Sequence, residues 1–314
     1  MSILFISDVD SFDNWDAVFR SKDPRAQLVE CEDVDDPASI EYALAWNPPD
    51  GLLARLPRLK AIFSLGAGVD HILRDHTLPK GVPIVRAVDT NLAMRMAEYV
   101  VLHCLILSRQ QRRLDAQQVK RLWVSELPVF SSDVRVGIMG LGHLGRYVAE
   151  RLRDIGFQVA GWSTGHKEIP EVASFAGEGE LASFLQRTDI LVSLLPHTPK
   201  THGFIGTSIL RQLSRDGVLG GPAFISVGRG TVHVEDDIVE ALDDGFLSAA
   251  VLDVFEREPL PEGSPLWRHP RVTVTPHCAA VTDPRSIVSS VLANIARLER
   301  GDSLENVVNV ERGY

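Results

Sequence analysis

Residues 134–146, VRVGIMGLGHLGR, constrain the fold more than any other stretch of this chain. They open on an apolar run, Val134, Val136, Ile138 and Met139, of the kind that forms a strand buried on both faces. Gly140, Gly142 and Gly145 follow in the spacing GxGxxG. A helical pattern begins at His143, with Leu144, Val148, Leu152 and Ile155 on one face, and Gly156 ends it. A second apolar run, residues 157–162, completes a βαβ unit. Each glycine has a physical task. Gly140 allows the tight turn off the strand, Gly142 lets a pyrophosphate approach the backbone, and Gly145 lets helix and sheet pack closely. The helix start adds free N–H groups and a positive dipole end. His143 and Leu144 share that turn, so residues 140–145 are the expected cradle of a dinucleotide. A glycine-rich turn without a ligand is the alternative, and the complete βαβ context weighs against it.

The rest of the chain repeats the alternation. Strands are expected at 2–7, 26–31, 59–65 and 82–85, with one helix starting near 15–20 and another, opened by Asp36 and Pro37, over 38–45. A long helical stretch, 91–118, carries Met94, Ala97, Val101, Leu105 and Ser108 on one stripe. From Val134 the pattern starts afresh, with strands at 134–139, 157–162, 190–195, 223–227, 248–253 and 272–274 and helices between them. The last helix, 284–300, has no strand left to cover in that second series and is assigned to the first. The fold class is therefore α/β, two doubly wound parallel-sheet domains. A Rossmann nucleotide-binding domain, 97–279, is inserted in a flavodoxin-like substrate domain, 1–96 and 280–314.

Composition narrows the function. With 314 residues, 45% hydrophobic and 24% charged, the chain reads as an ordinary globular protein. A formal net charge of −10 argues against nucleic-acid or anionic-membrane partners. No apolar run reaches the length of a membrane span, and the first residues read as a strand, not a signal peptide. Cys31, Cys104 and Cys278 are odd in number and lie outside any CxxC. They suit a reducing cytoplasm, and no metal-ligand spacing is present.

Four further pieces fall at the C-terminal ends of expected strands, where open α/β sheets bind ligands. They are Gly66-Ala67-Gly68, Val227-Gly228-Arg229-Gly230, Asp253-Val254-Phe255-Glu256-Arg257-Glu258-Pro259 and Thr275-Pro276-His277. In this order GxGxxG, RG, DVFxxEP and PH resemble the D-isomer-specific 2-hydroxyacid dehydrogenases, over essentially the whole chain. LGAGVD, MAEYV, SLLPHTPKT and TPHCAA are most similar to that family's branch of bacterial glyoxylate/hydroxypyruvate reductases of the A type. The resemblance implies NAD(P)H-dependent reduction of small 2-keto acids. His277 would be the general acid and Glu258 its partner, favouring the protonated ring. Arg229 would polarise the keto group and bind the substrate carboxylate, helped by backbone N–H groups at Ala67 and Gly68. Asp253 would meet the nicotinamide carboxamide, Pro196 would line the cofactor, and Trp46 would wall the substrate pocket. Read singly, His277 is a loop histidine, Arg229 and Glu258 an ordinary ion pair, Asp253 a turn cap and Trp46 a core residue. Their joint placement at strand ends carries the catalytic reading. A corepressor-like binding protein on the same scaffold is the alternative. The sequence departs from the family at Ser226, where Asn is usual, and in a longer stretch at 218–222.

The coenzyme is read from the end of the second strand of the βαβ unit. NAD enzymes place an acid there for the ribose hydroxyls. Here Ser163 and Thr164 occupy the turn, with His166 and Lys167 close behind. Serine removes the repulsion an acid would exert on a 2′-phosphate, so NADPH is expected to be preferred, with NAD possible. A homodimer is expected through 91–118 and the apolar-rich segment 112–130, the region through which related enzymes generally dimerise.

Overall fold

The computed structural model describes residues 1–125, 127 and 129–313. It contains two compact units, Met1–Leu92 with Thr282–Tyr314, and Ala93–Val281. The first unit is built from β1 (Ser2–Ile6), α1 (Phe12–Lys22), β2 (Gln27–Glu30), β3 (Tyr42–Ala45), β4 (Ala61–Ser64), α2 (Asp70–Leu73) and β5 (Ile84–Val85). Its sheet runs β2-β1-β3-β4-β5, and every pairing is parallel.

The sequence reading of 38–45 as a helix is wrong. Asp36 caps only a single turn, Pro37–Ser39, accepting from the Ala38 N–H at 2.9 Å, and the chain then enters β3. All four residues of β3 are buried, between β1 and β4. Alanine and leucine favour a helix by propensity, but burial on every side at the sheet centre outweighs a preference of only tenths of a kcal/mol per residue.

The second unit holds most of α3 (Thr90–Ser108), then α4 (Gln111–Val119), β6 (Arg135–Met139), α5 (His143–Ile155), β7 (Gln158–Ser163), β8 (Ala173–Ala176), α6 (Leu181–Gln186) and β9 (Ile190–Ser193). It continues through α7 (Thr207–Leu210), β10 (Ala223–Ser226), α8 (Glu235–Asp243), β11 (Ala249–Leu252) and β12 (Val272–Val274). The sheet order is β12-β11-β10-β9-β6-β7-β8, all parallel. Sequence reasoning anticipated six of these strands and missed β8, a half-exposed edge strand of sequence ASFA with no apolar run. It also read α3 and α4 as one helix. They are separated at Gln110, whose φ of 52° is left-handed. The guanidinium of Arg112 then grips the carbonyls of Pro270 and Val272 at 2.8 and 2.6 Å and the Thr273 hydroxyl at 2.8 Å, giving α4 its own course.

The last helix, α9 (Pro284–Glu299), belongs to the first unit. Asp283 caps it, and Ile287, Val288, Val291 and Ile295 share one core with Trp15 and Phe19 of α1. Burying each such side chain is worth roughly 1.5–3 kcal/mol, which fixes this helix to the unit formed by the chain's first residues.

Two glycines of the first βαβ unit are needed for opposite reasons. Gly140 has a φ of 102°, open to few other residues, and turns the chain off β6. Gly145 sits against that turn, and a Cβ on it would lie 1.9 Å from the Gly140 carbonyl oxygen. Gly142, the N-cap of α5, has nothing within 4 Å of a Cβ position. Gly145→Ala is therefore expected to cost about 1–3 kcal/mol of stability, as overpacking does. Gly142→Ser, which installs a favoured N-cap, should leave the urea midpoint near that of the parent. Equal midpoints for the two variants would refute the close contact.

Candidate active site

Because all seven strands of the second unit are parallel, their C-terminal ends share one edge of the sheet. From β6 the chain runs outward to β7 and β8, then returns to β9 on the other side of β6. Loops part in opposite directions at such a reversal and leave a crevice. Gly140 leaves β6 at this point, and Pro196 follows β9. A Cβ on Gly140 would lie 2.9 Å from the Leu194 carbonyl oxygen, so the two chains touch where they leave the sheet, before their loops diverge.

The same edge brings together the three residues expected to do chemistry. His277 Nδ1 lies 2.7 Å from Glu258 Oε2, and Glu258 Oε1 accepts the Phe255 N–H at 2.9 Å. With Nδ1 engaged, Nε2 is the ring nitrogen left to serve a ligand. Burial alone would raise the Glu258 carboxyl. The His277 hydrogen bond and charge, the Phe255 N–H and the Arg229 guanidinium together hold it below the ordinary carboxylate value. Arg229 is half-buried, and its Nη1 donates to the Gly228 carbonyl at 3.0 Å.

The loop bearing Arg229 is braced at three points. Gly230 lies flush on Phe255, where a Cβ would come within 1.9 Å of the backbone. Thr231 Oγ1 meets His197 Nδ1 at 2.7 Å, linking this loop to the one that follows β9. Ser226 Oγ meets His233 Nδ1 at 3.0 Å beneath the loop, with both residues buried. Ser226 is the departure from the family noted in the sequence, and its partner His233 escaped notice because nothing in the spacing marks it. His197, through Thr231, also holds this region together.

Asp253, expected at the nicotinamide, is turned onto its own chain. Its Oδ1 accepts from the Thr275 hydroxyl at 2.6 Å and the Cys278 N–H at 2.9 Å, and its Oδ2 from the Ala279 N–H at 2.9 Å. Its carbonyl accepts the His277 N–H at 2.8 Å. Ser163 ends β7, and Thr164, His166 and Lys167 lie on the loop that leaves it. The Ser163 hydroxyl donates to the Gly165 carbonyl at 2.8 Å, and Thr164, His166 and Lys167 are exposed.

In the first unit Trp46 follows β3 and Gly66-Ala67-Gly68 follows β4. A Cβ on Gly66 would lie 2.7 Å from the Trp46 ring, so the indole seats directly on that glycine. Ser64 Oγ closes the turn, accepting the Gly66 N–H at 3.2 Å and donating to the Gly68 carbonyl at 3.0 Å. Among the described residues the N–H groups of Ala67 and Gly68 have no acceptor within the chain.

Known proteins resemble this one throughout. Residues 85–279 match the family described as D-isomer specific 2-hydroxyacid dehydrogenase, NAD binding domain. A glyoxylate/hydroxypyruvate reductase A of Yersinia enterocolitica is 41% identical over the full length of both chains. The NADPH-dependent glyoxylate/hydroxypyruvate reductase of Sinorhizobium meliloti, solved with NADP and sulfate, is 42% identical with a TM-score of 0.94, both chains fully covered. A probable 2-hydroxyacid dehydrogenase of Rhizobium etli, solved with NADP, HEPES and tartaric acid, is 43% identical with a TM-score of 0.93, covering 100% of this chain and 99% of that one.

His233 makes the Arg229 brace sensitive to acid. Desolvation pulls its pKa down to about 4, whereas an unfolded imidazole titrates near 6.5. The unfolded chain therefore binds the extra proton first. Stability tied to neutral His233 is full above about pH 6.5 and is lost progressively as the pH falls toward about 4. In His233→Gln the urea midpoint should fall less steeply across that window than in the parent. Parallel slopes would show that His233 does not carry this loss.

Proposed function

The chain belongs to the D-isomer-specific 2-hydroxyacid dehydrogenases, and on that premise we propose that it reduces glyoxylate, hydroxypyruvate and similar small 2-keto acids to 2-hydroxy acids with NADPH. The observation that carries the chemistry is the 2.7 Å contact of His277 Nδ1 with Glu258 Oε2, which holds the ring while Nε2 keeps a transferable proton. The dinucleotide fits the chain on a local observation. Open space at the Gly142 Cβ position, beside the left-handed Gly140, leaves room for a pyrophosphate at the start of α5. Residues 140–145 and Pro196 would hold it, with Ser163, Thr164 and Lys167 at the adenosine 2′-phosphate.

NADPH supplies a hydride when bound. His277 gives its Nε2 proton to the keto oxygen, so that alkoxide charge does not accumulate. Glu258 holds the ring through Nδ1. Arg229 binds the substrate carboxylate and polarises the keto group through its fork of N–H donors. The unengaged N–H groups of Ala67 and Gly68 are donors suited to a carboxylate, and the Trp46 indole seats on Gly66 beside them. A corepressor-like role without catalysis is not favoured, because the relatives carry reductase names along their whole length.

Oxidation of NADPH followed at 340 nm with glyoxylate and with hydroxypyruvate tests this reading. The parent should turn over both, with kcat/KM for NADPH at least about tenfold above NADH, as hydrogen bonds to a charged phosphate allow. His277→Gln should bind NADPH normally and lose about 10²–10⁴-fold in rate. A parent that oxidises no NADPH, or a His277→Gln variant with near-normal turnover, would overturn the assignment.

We further propose that the protein is a homodimer. Val119, Trp123, Leu127 and Phe130 are 84, 100, 98 and 72% exposed, more apolar surface than one loop should offer to water. Glu126 and Pro128 of that segment lie outside the described residues. A second copy of the chain covering these side chains would remove them from water. Light scattering at micromolar concentration should give twice the monomer mass, and Trp123→Asp should halve it. A parent of monomer mass refutes the dimer.

A further inference from the structure

We propose that Tyr99 and Thr275 are positioning residues for His277, acting through the carboxyl group of Asp253. The proposal goes beyond the reductase reading and rests on it only where reaction rate is the readout. Nothing in that reading uses Tyr99 or Thr275, yet the structure joins them to the catalytic turn in one line. Tyr99, on α3, places its phenol oxygen 2.6 Å from Thr275 Oγ1, and Thr275 Oγ1 lies 2.6 Å from Asp253 Oδ1.

The direction of this line follows from proton count. Asp253 accepts at each of its side-chain contacts, taking the Thr275 hydroxyl and the N–H groups of Cys278 and Ala279. A hydroxyl has a single proton, so Thr275 spends its own on Asp253 and receives that of Tyr99. Burial raises the Tyr99 phenol far above its ordinary value, which keeps it a donor. The ring of His103, buried 4.4 Å away, backs the Tyr99 ring.

The residue that needs this support is His277. Its φ of 51° is left-handed, a conformation that costs free energy for any residue with a Cβ and persists only where the surroundings enforce it. The enforcement comes from Asp253 on both sides of its own backbone. Its carbonyl takes the His277 N–H, and its carboxyl takes the next two N–H groups. Asp253 is 1% exposed, so water does not replace a missing partner. Removing the Thr275 hydroxyl takes one of the two donors from Asp253 Oδ1 and loosens the turn that aims the imidazole. Glu258 holds Nδ1 of that imidazole but leaves the His277 backbone untouched.

The full-length protein tests this with Thr275→Val, Thr275→Ser and Tyr99→Phe. We measure kcat and KM for glyoxylate and NADPH, together with the ring proton resonances of His277 by NMR, assigned with His277→Gln. Thr275→Val should lower kcat by about 10–100-fold, as small misplacements of a reacting group do, with KM for NADPH within about twofold of the parent. Its His277 resonances should shift. Thr275→Ser should restore both, and Tyr99→Phe, which removes one atom, should move both in the same direction by less. If Thr275→Val fails to fold, Tyr99→Phe decides alone by the same two readouts. Unmoved His277 resonances with kcat near that of the parent overturn the proposal, as does a Thr275→Ser variant as impaired as Thr275→Val. A parent that reduces no keto acid overturns the reductase reading instead, and the His277 resonances then decide the positioning role by themselves.

Discussion

A parallel sheet covered on both faces leaves only its strand ends for polar chemistry, and that constraint shapes the whole second unit. β9 and β10 are buried at every residue, with one helix-backed core on each side of the sheet. No charged group sits along either strand. Polar side chains gather instead where the strands finish: Ser226 closes β10, Asp253 follows β11 and Thr275 follows β12. There each can meet a loop N–H or another side chain, which a mid-strand position would deny it. The reversal of strand order beside Gly140 and the His277 turn both lie at that edge of the sheet.

Magnitudes indicate what fixes the pair of Glu258 and His277. Glu258 and His277 have about a third of their side-chain surfaces open to water, at 36 and 37%. An ion pair so exposed is worth at most about 1 kcal/mol, too little to place two loops. The backbone places them. Gly230 against Phe255 joins the Arg229 loop to the Glu258 loop without any side chain between, and the Asp253 carboxyl gathers residues 275–279. The ion pair tunes charge on a frame that steric contact and buried hydrogen bonds have already set.

How much of this was legible in the sequence follows from how local each signal is. Residues 134–162 announced β6, α5 and β7 because glycine spacing and apolar periodicity act within one supersecondary unit. Arg229, Glu258 and His277 were legible because short motifs carry them. β3 was not, since Tyr42–Ala45 owes its extended form to strands on either side and its composition alone favours a helix. β8 has too little apolar content to signal anything, and the left-handed Gln110 that parts α3 from α4 follows no residue rule. Ser226 with His233, and Tyr99 with Thr275, escaped for another reason. Each is a pair whose meaning lies in a distance between residues, and in the second case 176 positions of chain separate the partners.

The first unit needs both ends of the chain. Trp15 and Phe19 of α1 share their core with Ile287, Val291 and Ile295 of α9, and residues 93–281 intervene. During synthesis the first five strands therefore leave the ribosome long before the helix that covers them. At about 5–20 residues per second, the interval lasts on the order of ten to forty seconds. The second unit is contiguous and completes itself within that interval. Order of birth and order of completion are thus reversed: the part of the protein made first is the last to be sealed.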